Sequence, residues 1–352
     1  MPDKPPSMAE IARRAGVSKN TVSLALRHDR QIPQETRDRI ARIARELGYN
    51  KNATVARLMA ELRRGKAPRF RSCLAVVNAH ADRNAFRTHP TIPTYIEGCR
   101  RRAAALGYRL DEFWLHEPSL DGIRLNKVLR ARGIMGVIVV GLMGNNRLPD
   151  RFLPTWQSFP TVVTGVRTHE PALSFACTDH HMLALAAFRK ALALGYQRPA
   201  LVIDPVIDEL VEHRITAGVQ VAQRALPRAR RVRTFLPPDD SPGSEAGFHE
   251  WREREHPDVI LTLYNNVRRW LEKRRFRVPR DIGLIQLEWR SSSPDWAGMN
   301  QHNDVVGEAA VEMVIGMIHN NESGIPAFPR ATLIDSSWVD GSTVKTRLPP
   351  AR

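Results

Sequence analysis

From residue 72 onward, short apolar runs alternate with amphipathic stretches, and this alternation leaves few folds open. CLAVVNA, YIEGCRRRAAALGY, RLDEFWL, LNKVLRARG and GVIVVGL read as β-α-β-α-β. TVVTGV, HHMLALAAFRKALALGY, PALVI, ITAGVQVAQRAL, DVILTLY, VRRWLEKRRF and IGLIQLE continue the series. Such alternation predicts parallel sheets covered by helices, and this length of chain suits two lobes of that kind. With 42% hydrophobic and 26% charged residues the chain is expected to be globular rather than disordered. No window approaches the ~18 consecutive apolar residues of a membrane helix, and MPDKPPSMAEIARRAG lacks a signal-peptide core. Cys73, Cys99 and Cys177 lie far apart with no CxxC pair, which argues against a disulfide framework or cysteine zinc site and fits the cytoplasm.

The formal charge is +16, from 53 Lys and Arg against 37 Asp and Glu. Residues 1–71 hold 17 of the basic and 7 of the acidic residues, so a fifth of the chain carries most of the excess. A small basic module on a nearly ordinary body implies an anionic partner, nucleic acid or an anionic membrane surface. The pattern beneath the charge is helical. Ser7-Met8-Ala9-Glu10 has capping-box form, and Met8, Ile11, Ala12 and Ala15 recur at helical spacing. Gly16 can end that helix in the left-handed conformation, and Ser18 can cap a second helix with Val22, Ala25 and Leu26 inward. Small Ala12 and Gly16 are expected where the two helices cross. A third helix is predicted over 34–47, burying Ile40, Ile43, Ala44 and Leu47 before Gly48 stops it. Helix, short Gly-containing turn and capped helix describe a helix-turn-helix.

MAEIARRAGVSKNTVSLALRHDRQIPQETRDRIARIARELGYN resembles the headpiece of LacI/GalR-type transcriptional regulators, densely over residues 8–62. The V-S-x-x-T-V-S turn and the E-T-R…ELGY helix carry the likeness. The resemblance implies a second helix in the DNA major groove, with Lys19, Asn20 and Leu24 toward base edges and Ser18, Thr21 and Ser23 toward phosphates. Lys can donate to guanine, Asn can bridge adenine, and Leu can meet a thymine methyl. Arg27, Arg30, Arg37 and Lys51 are read as phosphate neutralisers that position the module. NKNATVARLMAELRRG resembles the family's hinge helix, with Lys51 in place of the usual Pro and Leu58 where a leucine pries open the central base step. A leucine packing a dimer seam is the competing reading of Leu58.

The body resembles the periplasmic-binding-protein-like effector domain of the same regulators, most clearly in RVPRDIGLIQLE and AGMNQHNDVVGEAAVEM. The implied organisation is a headpiece over 1–49, hinge helix and linker over 50–66, and an effector-binding and dimerisation domain over 67–352. The chain would cross between lobes near 178, 302 and 334. Loops at strand C-termini converge on the cleft of such sheets. Matched by local phrase, Asp179, Arg214, Asn266, Glu288 and Gln301 are the effector-binding candidates, with Asn266 standing where relatives commonly have Asp. Trp289 or Trp296 could stack on a ligand. Each could instead cap a helix or brace the hinge.

Catalytic signatures are missing: no GxGxxG after the first strand, no GxxxxGK[ST], no GxSxG and no HExxH. Gly136, Gly141 and Gly144 are read as turn residues, and His180-His181 as a helix start without a ligand set at metal spacing. No cofactor and no metal are expected. The function implied is an effector-controlled repressor that binds a pseudo-palindromic operator as a homodimer. A small-molecule-binding or enzymatic α/β protein with an accessory basic N-terminus is the alternative, and a body that merely dimerises is a third reading.

Overall fold

The computed structural model describes residues 8–26, 29, 31–47, 72–237, 241–263 and 266–346. The expectations placed on Ser7, Arg27, Arg30, Gly48, Lys51 and Leu58, and on the side chains of Met8, Asn20 and Ser23, lie outside the described residues.

Three helices form the N-terminal module: α1 (Met8–Ala15), α2 (Lys19–Ala25) and α3 (Gln34–Glu46). Ile11, Ala12, Ala15, Val22, Ala25, Ile40 and Ala44 form their buried core, with Val17, Leu26, Ile32, Ile43 and Leu47 packed around it. Gly16 has φ +65°, and a Cβ built on it would meet nothing within 4 Å. The expected close crossing at Gly16 is therefore corrected: glycine serves the left-handed turn that ends α1, where Val17 N–H reaches the Ala12 carbonyl at 3.0 Å.

The body has two sheets. In the first, β1 (Ser72–Asn78), β2 (Tyr108–Trp114), β3 (Ile134–Val140), β4 (Thr161–Thr164), β5 (Ser174–Thr178) and β10 (Ala331–Ile334) run parallel in the order β10-β5-β4-β3-β1-β2. In the second, β6 (Pro199–Val202), β7 (Val259–Thr262), β8 (Gly283–Gln286) and β9 (Gly298–Asn300) are parallel, and β11 (Ser337–Val339) joins β9 antiparallel. Helices cover both faces, as buried parallel sheets require. They are α4 (Ile92–Ala105), α5 (Gly122–Ala131), α6 (His180–Ala193), α7 (Arg214–Gln223), α8 (Pro242–Glu255), α9 (Asn266–Lys273) and α10 (Asn303–His319).

Helix α10 follows a strand of the second sheet yet packs on the first, against α4. Two glycines permit it. A Cβ on Gly98 would lie 1.8 Å from the Asp304 carbonyl oxygen, and one on Gly307 would lie 2.2 Å from that of Tyr95. Val306, Ala310, Val311 and Val314 then share one core with Ile96 and Cys99 of α4 and with Val76 and Ile138 beneath. Gly136 belongs to the same contact: it lies inside β3, and a Cβ there would sit 2.7 Å from Val314. The turn reading of Gly136 is thus corrected, while Gly141 lies directly after β3 with φ +94°, a left-handed backbone that glycine adopts freely.

The chain passes between lobes after Thr178, after Asn300 and after Ile334. Thr178 Oγ1 donates to the Gln301 carbonyl at 3.1 Å, and Asp179 N–H donates to that of Ile334 at 2.9 Å. The three crossings are therefore stitched side by side. All three cysteines are buried and free.

Candidate functional site

In the N-terminal module the local sequence builds the edge of α2 directly. Ser18 has extended backbone (φ −71°, ψ 155°) and its Oγ accepts from Thr21 N–H, as an N-cap does. The two hydroxyls also bond each other at 2.9 Å. Val22 and Ala25 are buried, so the helix presents exposed Lys19 away from the core, and Leu24 is half-buried. Arg37 on α3 is half-buried and committed within the chain, donating to the Asp29 carbonyl at 3.5 Å and to Gln34. Its guanidinium ties α3 to the loop after α2, a role that charge alone did not suggest.

The second candidate site lies between the lobes. Asp179 caps α6, accepting from Met182 N–H at 3.0 Å. Arg214 opens α7 and donates to Glu212 at 2.6 Å, with its guanidinium 5.8 Å from the Phe175 ring centre. Glu212 also faces Arg167 at 3.6 Å and His169 at 3.4 Å, from the first lobe. Glu212 and His213 both hold left-handed backbone (φ 57° and 56°), a strain for non-glycine residues that clusters at functional sites. Glu288 lies two residues beyond β8, slightly past the strand end expected for it, and pairs with Arg290 at 2.6 Å. Arg290 reaches across the lobes to Thr91 Oγ1 at 3.2 Å, and Asn303 donates to Glu288 at 3.3 Å. Gln301 is buried and donates to the Leu287 carbonyl at 3.0 Å, which makes it a brace of the crossing. Asn266 is the first residue of α9 and half-buried.

Tyr95 links the two clusters. Its buried phenol is pushed well above the usual range by desolvation and then by the charges of Glu288 and Cys177. Burial, offset in part by Arg214, lifts the Cys177 thiol to about 11. Burial, and then Arg214, lowers His180 to about 4. Tyr95, Phe175, Glu212, Arg290 and Asn303 had no sequence signal beyond lying near strand or helix ends. Among the described residues, no group of three His, Cys, Asp or Glu gathers at metal distance.

Beside Glu288 a cavity of about 240 Å³ is lined by Pro90 from one lobe and Gln286, Arg290, Ser292, Ser293 and Trp296 from the other. Trp296 is buried and half of the expected aromatic pair lies against this space, while Trp289 packs on the same core. Gln286 Oε1, Trp289 Nε1, Arg290 Nε and Asn303 Oδ1 are buried without a hydrogen-bond partner among the described residues. That concentration of two acceptors and two donors is unusual, since buried polar groups are ordinarily satisfied.

Comparison with known proteins joins the two parts. The model for bacterial regulatory proteins of the lacI family matches residues 7–52, and that of the periplasmic binding protein-like domain matches residues 188–344. The NTD biosynthesis operon regulator NtdR of Bacillus subtilis is 21% identical over 327 residues, 90% of this chain and 94% of that protein. The HTH-type transcriptional regulator AscG of Escherichia coli is 44% identical over 55 residues, 16% of each chain. Among solved structures, the lac repressor dimer bound to operator and the anti-inducer ONPF has a TM-score of 0.57 at 19% identity, covering 97% of this chain and 100% of that one. The transcriptional regulator CelR–cellobiose complex has a TM-score of 0.57 at 18% identity, covering 96% and 99%.

A helix-turn-helix module followed by a two-lobed ligand-binding fold defines a DNA-binding transcriptional regulator. The chain belongs to the LacI family. No helix among the described residues is long and apolar enough to cross a membrane.

Proposed function

We propose that the chain is a cytoplasmic, effector-controlled repressor that reads a pseudo-palindromic operator as a homodimer. Its α2 enters the major groove. Lys19 and Asn20 read base edges there, Leu24 contacts a thymine methyl, and Ser18, Thr21, Ser23, Arg27 and Arg37 position the module on phosphates. Leu58 of the hinge segment wedges the central base step. The effector sits between the lobes, within reach of Asp179, Arg214, Asn266 and Glu288, while Gln301 holds the crossing. It biases lobe closure and through it the spacing of the two headpieces, a shift of populations.

The observation that carries the effector reading is the cavity beside the paired Glu288 and Arg290, whose lining residues Gln286 and Arg290 keep a buried acceptor and donor without a partner among the described residues. Hydroxyl groups donate and accept, so a neutral polyhydroxy molecule such as a sugar complements them. The test is a thermal-shift screen of sugars and nucleobases, followed by operator titration with each stabilising compound. We expect a compound whose stabilisation is lost in Glu288→Gln and which changes operator affinity of the wild type. A stabilising compound that leaves operator affinity unchanged defeats the effector reading. Retention of the main function after deletion of residues 1–66 defeats the repressor reading.

A further inference from the structure

Outside the first 71 residues the positive excess is confined to one stretch. Residues 224–280 contain 14 Lys and Arg against 8 Asp and Glu, and the rest of residues 72–352 is balanced. All but one of the fourteen are arginine. The fold gathers them at one end. Helices α7, α8 and α9 each run back toward the N-terminal ends of the parallel strands β6, β7 and β8. The segments that follow these helices are therefore neighbours at one pole of the second lobe. Arg224, Arg228, Arg230, Arg274, Arg275 and Arg280 are exposed there; none forms a salt bridge among the described residues, although Arg280 is close enough to Asp281 to help lower its carboxyl.

The nearby carboxylates are already committed. Asp258 accepts from the N–H groups of Gln197 at 2.7 Å and Arg198 at 2.9 Å. Asp281 is held by Arg277, whose backbone N–H and guanidinium keep its carboxyl below the usual range. Of the exposed large hydrophobic residues, Leu236 follows Phe235, which pairs with Val202 at the C-terminal end of β6 and so lies away from the pole, and Val221 belongs to the last turn of α7; none lies among the arginines at 224–233 or 274–280. A protein partner would ordinarily find an apolar or aromatic anchor at the centre of its contact. A surface of unpaired guanidinium forks without such an anchor matches phosphates spaced along a polymer.

We propose that this pole is a second, sequence-independent contact for the phosphate backbone of duplex DNA. The pole lies far from the operator. The chain leaves β5 and β9 at their C-terminal ends to cross between lobes, so those strand ends face each other. Ser72, which begins β1, and the arginine pole therefore lie at opposite ends of the body. The DNA met by the pole is a second duplex, or a remote stretch of the one holding the headpieces.

The experiment loads full-length protein on an immobilised operator duplex and then adds a fluorescent duplex lacking the operator. The wild type should capture the second duplex at about 50 mM salt and release it roughly 100-fold by about 200 mM, as some four phosphate contacts require. Reversal of four arginines (Arg228→Glu, Arg230→Glu, Arg274→Glu and Arg275→Glu together) should reduce capture at least tenfold, with operator loading unchanged. Reversal of Arg124 and Arg130 on α5 should leave capture intact. Capture by the fourfold variant equal to wild type, or none by wild type, overturns the proposal. So does displacement by poly-glutamate as effective as by duplex of equal charge, which would make the pole an acidic-protein surface. Failure of operator binding would appear at the loading step. Protein tethered through a terminal biotin would then still report the second step by comparing wild type with the fourfold variant.

Discussion

Gln301 and Asn303, two residues apart, divide between holding the crossing and facing the cleft. Gln301 spends its amide on the Leu287 carbonyl, whereas Asn303 donates to Glu288 and keeps an unpaired oxygen. Sequence phrases pointed to Gln301 and passed over Asn303, because side-chain direction at a lobe crossing depends on a left-handed residue, His302 at φ 51°. Ser18 and Arg214 were legible because capping and helix starts are local events, while Glu212 and Tyr95 matter through partners distant in sequence. At the α2 edge, Asn20→Ala should relax base preference at one symmetric pair of operator positions, at about 1–3 kcal/mol per bidentate contact. Arg37→Ala should weaken all sequences alike. Selection from randomised operators that returned one motif for wild type and Asn20→Ala would refute the base-reading role. His180 gives a pH prediction. Folded His180 titrates near 4 rather than 6.5, so between these values the unfolded chain takes up a proton that the folded chain refuses. Stability should therefore fall as pH drops from 6.5 to 4, by about 3 kcal/mol from this group, and no further from it below that. Urea melts at pH 7 and 4.5 should show a smaller difference for His180→Gln than for wild type.

Among the elements, α10 makes the sharpest contrast because it carries two glycines with opposite surroundings. Gly307 touches the backbone of α4, and a Cβ there has nowhere to go. Gly316, in the same helix, has nothing within 4 Å of the corresponding position. Gly307→Ala should destabilise by at least the 1–3 kcal/mol typical of overpacking. Gly316→Ala should stabilise by about 0.4–1 kcal/mol, since the unfolded chain loses freedom and the folded helix loses nothing. Chemical denaturation of the two variants checks both signs. The alternation that foretold the sheets did not announce α8, β5, β9, β10 or β11: SFACT, GMN and SWV lack the adjacent large aliphatic residues that mark the equally short β4, β6, β7 and β8, and β10 is a partly exposed edge strand. The hinge segment provides another test at this scale. Leu58→Ala should reduce operator bending and cost specific affinity a few kcal/mol while sparing non-specific binding. Unchanged bending, together with a weaker free dimer, would favour the packing role of Leu58 instead.

For the whole molecule, the distribution of charge makes DNA affinity a function of salt. The 17 basic residues of the first 71 outnumber the 7 acidic ones, an excess suited to neutralising phosphates, and operator binding should fall along a log–log slope implying on the order of 6–10 contacts per dimer. A salt-independent affinity, measured by fluorescence anisotropy, would exclude that account. The side-by-side crossings have a consequence for synthesis. The first sheet takes its edge strand from residues 331–334 and the helix over its face from 303–319. On the ribosome, strands β1 to β5 must therefore wait, with one face covered by α4 but not yet by α10, while the whole second lobe is made. At about 5–20 residues per second that interval lasts on the order of ten seconds. The helix-turn-helix has no such dependence, so a nascent chain can present a finished DNA-reading surface while its ligand-binding body is still an open, sticky half-shell in need of a chaperone.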